Sequence, residues 1–369
     1  MFAVYFIFLH EFSQNYYCCH WAVFTPCKNF KHLRTNAKFP DNSLNMPICI
    51  LPLLNIIVYK VVYFGDLPMD TSVRILRVFL TRWLDKAETD TNRTLRKLVE
   101  FGCYFSASLH QRKFFFEAKR ILSNKESRYY SLAQSLFRSV DKERAAEFGI
   151  CFGYYGLAKS SWFSGEHLCG FQKPTPVAGI IPGRKLRPVN NDLSGQFSTL
   201  AQGGTNIFFI FCDDISFSES ELFAMIEKNP HKSFFLFTES ESTAIKFAQK
   251  NVMPVLNLES SNYDFLADEL RKYGRFFGGY YQYGDAEADI ITAADFLENI
   301  YERNCLFLFL VENEECSNST HKKIRKFGYS QKRNPTHPVF VTELFGDLEA
   351  LNGNDRKVCI KKTDWKQLR

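Results

Sequence analysis

The chain has 369 residues, of which 46% are hydrophobic, and this fraction excludes an intrinsically disordered protein. Its formal net charge is +6, with basic residues in excess over residues 70–150 and acidic residues in excess over residues 200–315. The basic residues are spaced as on solvated helix faces and form no tight cluster, so we expect no nucleic-acid partner.

Eleven cysteines are scattered along the chain, and none of them form a Cys-x-x-Cys pair or a zinc-type spacing. Several lie inside apolar runs, where a free cysteine behaves as a small hydrophobic residue. Because thiols stay reduced in the cytosol, this usage predicts a cytoplasmic protein.

Residues 1–68 are aromatic and irregular, unlike the rest of the chain. Within them, residues 47–64 form an apolar stretch of borderline length for a membrane span, interrupted by a proline, an asparagine and a lysine. The first residues lack the basic start of a secretory signal. We expect Met69 to be the functional start, with the upstream segment poorly ordered or an artefact of start-site choice. Membrane association through residues 47–64 is the alternative.

Residues 69–150 have the periodicity of a helical lead-in. Apolar residues from Val73 to Leu84 recur at three- and four-residue spacing, which predicts an amphipathic helix. A second helix is expected to begin at Asp90 or Thr91 and to stop at Gly102. Two further helices are predicted over Gln111–Leu122 and Ser131–Val140.

Residues 151–345 alternate short apolar runs with helical patterns, and a short tail follows over residues 346–369. Strand-length runs alternating with helices are typical of a parallel β/α architecture. The seven predicted strands are Pro176–Ile181, Asn206–Phe211, Ser233–Phe237, Met253–Leu258, Arg275–Tyr283, Cys305–Val311 and Pro338–Thr342.

Two glycine pairs punctuate this region. Gly203-Gly204 precedes a predicted strand, whereas phosphate-binding loops follow one, so we interpret it as a helix-ending turn. Gly278-Gly279 lies inside an aromatic strand, where either a close backbone approach or an opening for a ligand would explain it.

The phrases EKNPHKSFFLFT (Glu227–Thr238) and KNVMPVLNLE (Lys250–Glu259) carry a family resemblance. Together with the rest of Asn206–Ser260, they resemble the central part of the radical S-adenosylmethionine (radical SAM) enzymes. The stretch Arg325–Gly353 is similar to that family's late strand and the start of its C-terminal segment. The resemblance extends weakly over Met69–Cys359 and implies a radical-SAM-like, partial β/α TIM-type barrel preceded by a helical segment.

The departures from the family concern its cofactors, a [4Fe–4S] cluster and SAM. The family holds the cluster with Cys-x-x-x-Cys-x-x-Cys after the first strand, because soft thiolates are the ligands that iron–sulfur clusters require. The corresponding loop, Gly183–Gly195, reads GRKLRPVNNDLSG and contains no cysteine. These departures predict that the cluster has been lost.

The family's SAM-binding motifs are altered as well. Its Gly-Gly-Glu-Pro loop, where glycine lets the backbone approach SAM, corresponds here to Cys212-Asp213-Asp214-Ile215. Its Thr-Asn-Gly turn corresponds to Thr238-Glu239-Ser240, and Glu259 stands where its Ser-x-Glu-Gly motif has the glutamate. Because active sites of β/α barrels lie at the carboxyl ends of the strands, the residues expected to line the mouth are Cys212, Asp213, Asp214, Glu239 and Glu259.

Carboxylates follow nearly every predicted strand, and the later ones are Asp285, Glu287, Glu312, Glu314 and Glu343. Asp, Glu and Ser at the start of helices are expected as caps and dipole partners, which is the interpretation that we favour. A mouth that binds a hard divalent cation is the alternative, because oxygen ligands suit such ions.

Three functions follow from these patterns. The leading hypothesis is a pseudoenzyme that retains the radical-SAM-like barrel, holds neither cluster nor SAM, and acts through binding, with a protein among its candidate partners. The second is an active radical SAM enzyme with cluster ligands from non-standard cysteines, Cys169 and Cys212. The third is a carboxylate-metal hydrolase using Asp213 or Glu259.

Overall fold

The computed structural model of the chain describes residues 69–105, 109–158, 178–181, 193–212, 219–313 and 316–351. The segment 1–68, with its apolar stretch 47–64, lies outside these ranges, as do residues 352–369 of the predicted tail. Across the described ranges, no helix combines the length and the apolar character needed to cross a bilayer.

The described part of residues 69–150 is helical, as the periodicity predicts, and the helical structure continues beyond the predicted boundary to Ala158. Asp90 caps the second helix, since its Oδ1 accepts a hydrogen bond from Arg93 N at 3.0 Å. The elements are α1 (Met69–Thr89), α2 (Thr91–Phe105), α3 (Leu109–Ser123), α4 (Arg128–Ser139), α5 (Lys142–Gly149) and a π-helical segment (Ile150–Ala158).

The prediction that Gly102 ends the second helix is wrong, because α2 continues through it to Phe105. A Cβ atom at Gly102 would lie 2.0 Å from Cε1 of Phe115 on α3. The glycine is therefore explained by the close crossing of two helices, which local sequence rules do not register.

Seven parallel strands form one sheet in the order β1 to β7, and all seven predicted strands are confirmed. A sheet in which parallel strands follow one another in chain order is the arrangement of a β/α barrel, here a half-barrel consistent with a partial TIM-type barrel. The strands are β1 (Ala178–Ile181), β2 (Ile207–Phe211), β3 (Ser233–Thr238), β4 (Val252–Asn257), β5 (Gly278–Tyr283), β6 (Phe307–Glu312) and β7 (Phe340–Glu343).

The helices that connect the strands pack on one face of the sheet, as parallel crossovers require. Their apolar side chains form two clusters with alternate residues of the strands. One cluster contains Phe208 of β2 and Leu236 of β3, and the other contains Leu308 of β6 and Val341 of β7. The connecting helices are α6 (Leu193–Gln202), α7 (Glu219–Glu227), α8 (Glu241–Lys246), α9 (Tyr263–Lys272), α10 (Ala288–Thr292), α11 (Phe296–Glu302) and α12 (Asn318–Arg333). Helix α13 (Leu344–Leu351) follows β7 and begins two residues before the predicted tail.

The opposite, concave face of the sheet is covered by the helical lead-in. Phe148 and Phe152 meet Phe235 of β3, with ring centroids 5.7 and 5.8 Å apart. Leu344 and Leu348 of α13 belong to the same buried cluster. The lead-in is thus a structural layer of the barrel, since it supplies the apolar surface against which the concave face is buried.

Polar contacts fix the lead-in on the connecting helices. Asp141 N donates to Gly274 O at 2.8 Å, and Gly274 itself has a φ of +59°, a backbone conformation that favours glycine. Arg144 donates to Ala248 O at 2.7 Å, and Glu143 pairs with Lys250 at 2.5 Å. The start of α5 therefore contacts both the loop that precedes β4 and the loop that follows α9.

The two glycine pairs are both explained by backbone geometry. Helix α6 ends at Gln202 and Gly204 has a φ of +88°, so the helix-ending turn is confirmed. In β5, a Cβ at Gly278 would lie 2.9 Å from Phe307 O, and one at Gly279 would lie 2.8 Å from Leu258 Cγ. The close-approach interpretation of this pair therefore holds.

Candidate functional site at the carboxyl ends of the strands

Glu239 and Glu259 lie together, joined by the last residue of β4. Asn257 Nδ2 donates to Glu239 Oε1 at 2.6 Å, and Asn257 Oδ1 accepts from Glu259 N at 3.0 Å. Parallel strands end at a common edge of the sheet, which is why residues from two loops meet here. The structure thus brings together two of the five residues expected to line the mouth.

A third carboxylate, Glu287, acts on the same place. Burial raises the pKa of Glu259, and the negative charges of Glu287 and then Glu239 raise it further. Burial, and then the negative charges of Glu259 and Glu287, raise the pKa of Tyr281. The carboxyl ends of β3, β4 and β5 therefore form a region of negative potential.

Several of these acidic side chains hold loops in place. Glu287 Oε2 accepts from Gly284 N at 2.7 Å, and Asp285 Oδ1 accepts from Ser317 N at 2.8 Å. Ser240 caps α8 by accepting from Thr243 N at 3.3 Å, as its position predicts. These contacts are the loop and cap functions that we favoured for the residues after each strand.

The remaining predicted mouth residues are placed differently or lie outside the described ranges. Cys212 directly follows β2 and is an even number of positions from Phe208 and Ile210, so it lies on the same, helix-facing side of the sheet. There it packs at the edge of the apolar cluster that contains these two residues. Its Sγ is 3.7 Å from Ile210 O. Asp213 and Asp214 lie outside the described residues, as does Cys169.

A second polar group is buried beneath α12, where the last residues of β5, β6 and β7 meet. Tyr283 donates to Glu343 Oε1 at 3.0 Å, and its hydroxyl lies 3.4 Å from His321 Nδ1. His321 Nδ1 is also 2.9 Å from Glu312 Oε2. Glu343 Oε2 accepts from Gly346 N at 2.7 Å at the start of α13.

This group continues into a buried ion pair between Lys332 of α12 and Asp347 of α13. The backbone carbonyl of Lys332 accepts from Tyr129 of the lead-in at 2.7 Å. We refer to the six residues that connect these elements as the strand-end cluster: Tyr283, Glu312, His321, Lys332, Glu343 and Asp347.

Burial sets the protonation of the strand-end cluster. It raises the pKa of Glu343 to about 7, although the nearby charge of His321 opposes the shift. Burial likewise lowers the pKa of Lys332, against the opposing charge of Asp347. Burial, and then the charges of Glu343 and Glu312, raise the pKa of Tyr283. Burial therefore disfavours the charged forms of all three groups.

Sequence reasoning identified Glu312 and Glu343 as strand-end carboxylates but missed the other four members. Tyr283, the last residue of β5, carried a signal, because it ends its strand directly opposite Glu312, the last residue of β6. Lys332 and Asp347 carried none, since charged residues on helices are ordinarily exposed. Among the residues that the structure describes, no group of three or more His, Cys, Asp or Glu side chains is arranged to hold a metal ion.

No protein-family model matches the chain, and no curated protein is significantly similar to it in sequence.

Proposed function

We propose that this chain is a radical-SAM-like half-barrel that has lost its cluster and SAM sites and acts through binding, as a pseudoenzyme. The observation that carries this proposal is that the filling of the concave face reaches the carboxyl ends of β2 and β3, the end at which barrel enzymes accommodate cofactor and substrate. That face is packed with aromatic rings and covered by the chain's own lead-in helices.

The packing of the rings supports this proposal in detail. Phe209 stacks on Phe235 with centroids 4.6 Å apart, and Phe211 stacks on Phe237 at 4.4 Å. Phe309 of β6 stands edge-on to Phe237 at 5.6 Å. Stacked and edge-on pairs at these distances are favourable contacts of a packed core. Phe211 and Phe237 lie at the carboxyl ends of β2 and β3, so a cofactor seated against the concave face at that end would have to displace them.

The chemistry of the available ligands supports the same proposal. The loop Gly183–Gly195 contains no thiol, and its lysine, arginine, asparagine and aspartate side chains are poor ligands for an iron–sulfur cluster. Cys212, the nearest cysteine that follows a strand, packs on the helix-facing side of the sheet. Free Cys151, Cys305 and Cys316 are buried, which suits a reducing compartment such as the cytosol.

A binding role requires contact surface, and the connecting helices and the lead-in both carry large exposed apolar side chains. Phe265 and Tyr273 on and beside α9 are 54% and 58% exposed, and Ile290 on α10 is 54% exposed. Phe116 on α3 is 62% exposed. Aromatic residues are enriched at protein interfaces, so a protein is the class of partner that we propose.

Anaerobic reconstitution of the purified chain with iron and sulfide tests the proposal. Iron content, the visible absorption spectrum and SAM titration by calorimetry are measured together, with an active radical SAM enzyme treated identically as the positive control. We expect no stoichiometric iron and no SAM binding. A stable [4Fe–4S] cluster together with SAM binding would contradict the proposal and favour an active enzyme with unusual ligands.

Cysteine variants identify the ligands if a cluster forms. In the active-enzyme alternative, Cys212→Ser and Cys169→Ser each abolish iron uptake. Cys103→Ser serves as the matched control, because Cys103 lies on α2 in the helical lead-in. Iron uptake that is unchanged in all three variants indicates adventitious iron and leaves the pseudoenzyme proposal standing.

A further inference from the structure

The strand-end cluster contains more buried negative charge than buried positive charge. Glu343 and Asp347 are 1% and 3% exposed, and Glu312 is 8% exposed. Against these three carboxylates stands one buried ammonium group, that of Lys332, which is also 3% exposed. Burying an uncompensated charge is strongly unfavourable.

The histidine of the cluster is placed to share a proton with its neighbours. Its Nδ1 lies 2.9 Å from Glu312 Oε2 and 3.4 Å from the Tyr283 hydroxyl, which in turn donates to Glu343. A proton on His321 or on Glu343 thus reduces the charge of the same hydrogen-bonded group. Such coupled groups take up protons as a unit.

We propose that the strand-end cluster takes up one proton when the chain folds and acts as a proton-sensitive lock that holds α12 and α13 on the sheet. This inference does not depend on whether the chain binds SAM. It rests on the position of the cluster, which joins the ends of three strands to the last two helices.

The lock is confined to a few elements. Within the part of the chain that the structure describes, the charged groups that face Glu343 belong to these elements. Losing the proton leaves additional negative charge between α12, α13 and the sheet, where water screens it poorly. The loss should therefore loosen these two helices before the rest of the fold. The groups that face Glu343 are Tyr283 on β5, Glu312 on β6, His321, Arg325 and Lys332 on α12, and Asp347 on α13, with Cys316 next to Tyr283.

The direction of the pH dependence follows from the raised pKa of Glu343, which is about 7 in the folded chain against an ordinary value of 4.5. Between these two values the folded chain keeps a proton that the unfolded chain has released. Stability therefore falls as pH rises through this window, and the loss is complete above the folded pKa. For one proton, the unfolding equilibrium constant rises by at most about tenfold per pH unit. Lys332, whose pKa is lowered, contributes the opposite slope between its lowered value and 10.5.

Denaturant unfolding of the full chain between about pH 5 and pH 8 tests the proposal. Glu343→Gln keeps the shape of the side chain and a carbonyl oxygen for Gly346 N, but cannot titrate. We expect the wild-type unfolding constant to rise with pH more steeply than that of E343Q. Glu298→Gln on α11 is the matched control, because Glu298 is exposed, and it should retain the wild-type slope. Equal slopes in wild type and E343Q would overturn the proposal.

A second measurement uses the wild-type chain, so it remains decisive if E343Q does not fold. Carbon-13 NMR of labelled glutamate side chains reports the protonation of each carboxyl group. We expect one glutamate, or the His321 imidazole in a parallel nitrogen-15 experiment, to hold its proton well above the pH at which exposed glutamates lose theirs. A cluster in which every carboxylate and His321 has lost its proton by about pH 6 would contradict the proposal.

Hydrogen exchange tests the locking of the helices. Amide protection is measured over residues 318–351 and over the lead-in helix α4 at about pH 6 and pH 8. The exchange rates are corrected for the intrinsic rate at each pH before the two regions are compared. We expect protection of α12 and α13 to decrease at the higher pH while that of α4 is kept. Protection that is unchanged in both regions would show that the proton does not control these helices.

Discussion

Lys332 of α12 and Asp347 of α13 form an ion pair that is almost completely withdrawn from solvent, with side chains 3% and 4% exposed. Fifteen positions separate them, and strand β7 lies between them in the chain. The pair ties the edge of the half-barrel together, and the carbonyl of Lys332 adds a contact to Tyr129 of the lead-in.

Breaking this pair from one side should be more harmful than removing it altogether. Asp347→Asn removes the carboxylate that is hydrogen-bonded to the Lys332 ammonium and leaves the longer-range attraction of Glu343, so we expect a loss of about 3–5 kcal/mol in the free energy of unfolding. The double variant Lys332→Met with Asp347→Leu replaces the pair by apolar groups of similar size and should recover most of that loss. Urea denaturation of the two variants checks the comparison. A double variant less stable than D347N would contradict the expectation.

The aromatic filling of the concave face predicts a large effect at its centre. Phe235 is fully buried and contacts Phe148, Phe152 and Phe209. Phe235→Ala removes these contacts and leaves a cavity, which should cost about 3–5 kcal/mol. Phe116→Ala is the matched control, because that ring is 62% exposed and should cost less than about 1 kcal/mol. Thermal and denaturant unfolding distinguish the two, and similar losses would mean that the concave face is not a packed core.

Two glycines should respond to alanine in opposite directions. At Gly279 the added methyl group would lie 2.8 Å from Leu258 Cγ and 2.9 Å from Cys305 Sγ, so Gly279→Ala should destabilise the fold by about 1–3 kcal/mol. At Gly328 in α12 the nearest atoms are 3.9 Å away, and alanine favours the helix by about 0.5–1 kcal/mol. A shift of the unfolding midpoint is the measurement, and a stabilising G279A would invalidate the close-approach interpretation.

Arg275 is buried, and its hydrogen-bond acceptors among the described residues are backbone carbonyls. Its guanidinium donates to the carbonyl oxygen of Ile245 at 2.7 Å and to that of Phe247, at the end of α8. Burial and the neighbouring charge of Arg144 lower its pKa to about 10. The guanidinium therefore satisfies the carbonyls that a helix end leaves without partners.

Replacing Arg275 by lysine should keep the charge and lose the forked geometry. We expect Arg275→Lys to lower the free energy of unfolding by about 1.5–3 kcal/mol, since hydrogen bonds to charged groups have this magnitude. Arg271→Lys on the exposed side of α9, where the partner is Asp268, is the control and should have little effect. A neutral R275K would mean that the helix end finds other partners.

Local patterns were enough to predict the strands, because a short apolar or aromatic run bounded by polar residues has few alternatives in a folded chain. The same holds for the caps, where Ser240 and Asp90 act as their positions predict. The end of α2 was predicted wrongly at Gly102, since the reason for that glycine is a ring on another helix. The proximity of Glu239 and Glu259 was predictable too, because both follow neighbouring parallel strands. The hydrogen bonds by which Asn257 bridges them were not.

The amino-acid sequence by itself determined the alternation of strands and helices, the parallel β/α class and the absence of cysteines from the loop Gly183–Gly195. These are properties of neighbouring residues, so local periodicity and composition carry them. Only the tertiary structure decided that the lead-in fills the concave face and that Tyr283, 60 positions before Glu343, shares a hydrogen bond with it in a buried cluster. The physical reason is that burial and desolvation depend on which surfaces meet, and elements distant in the chain decide that.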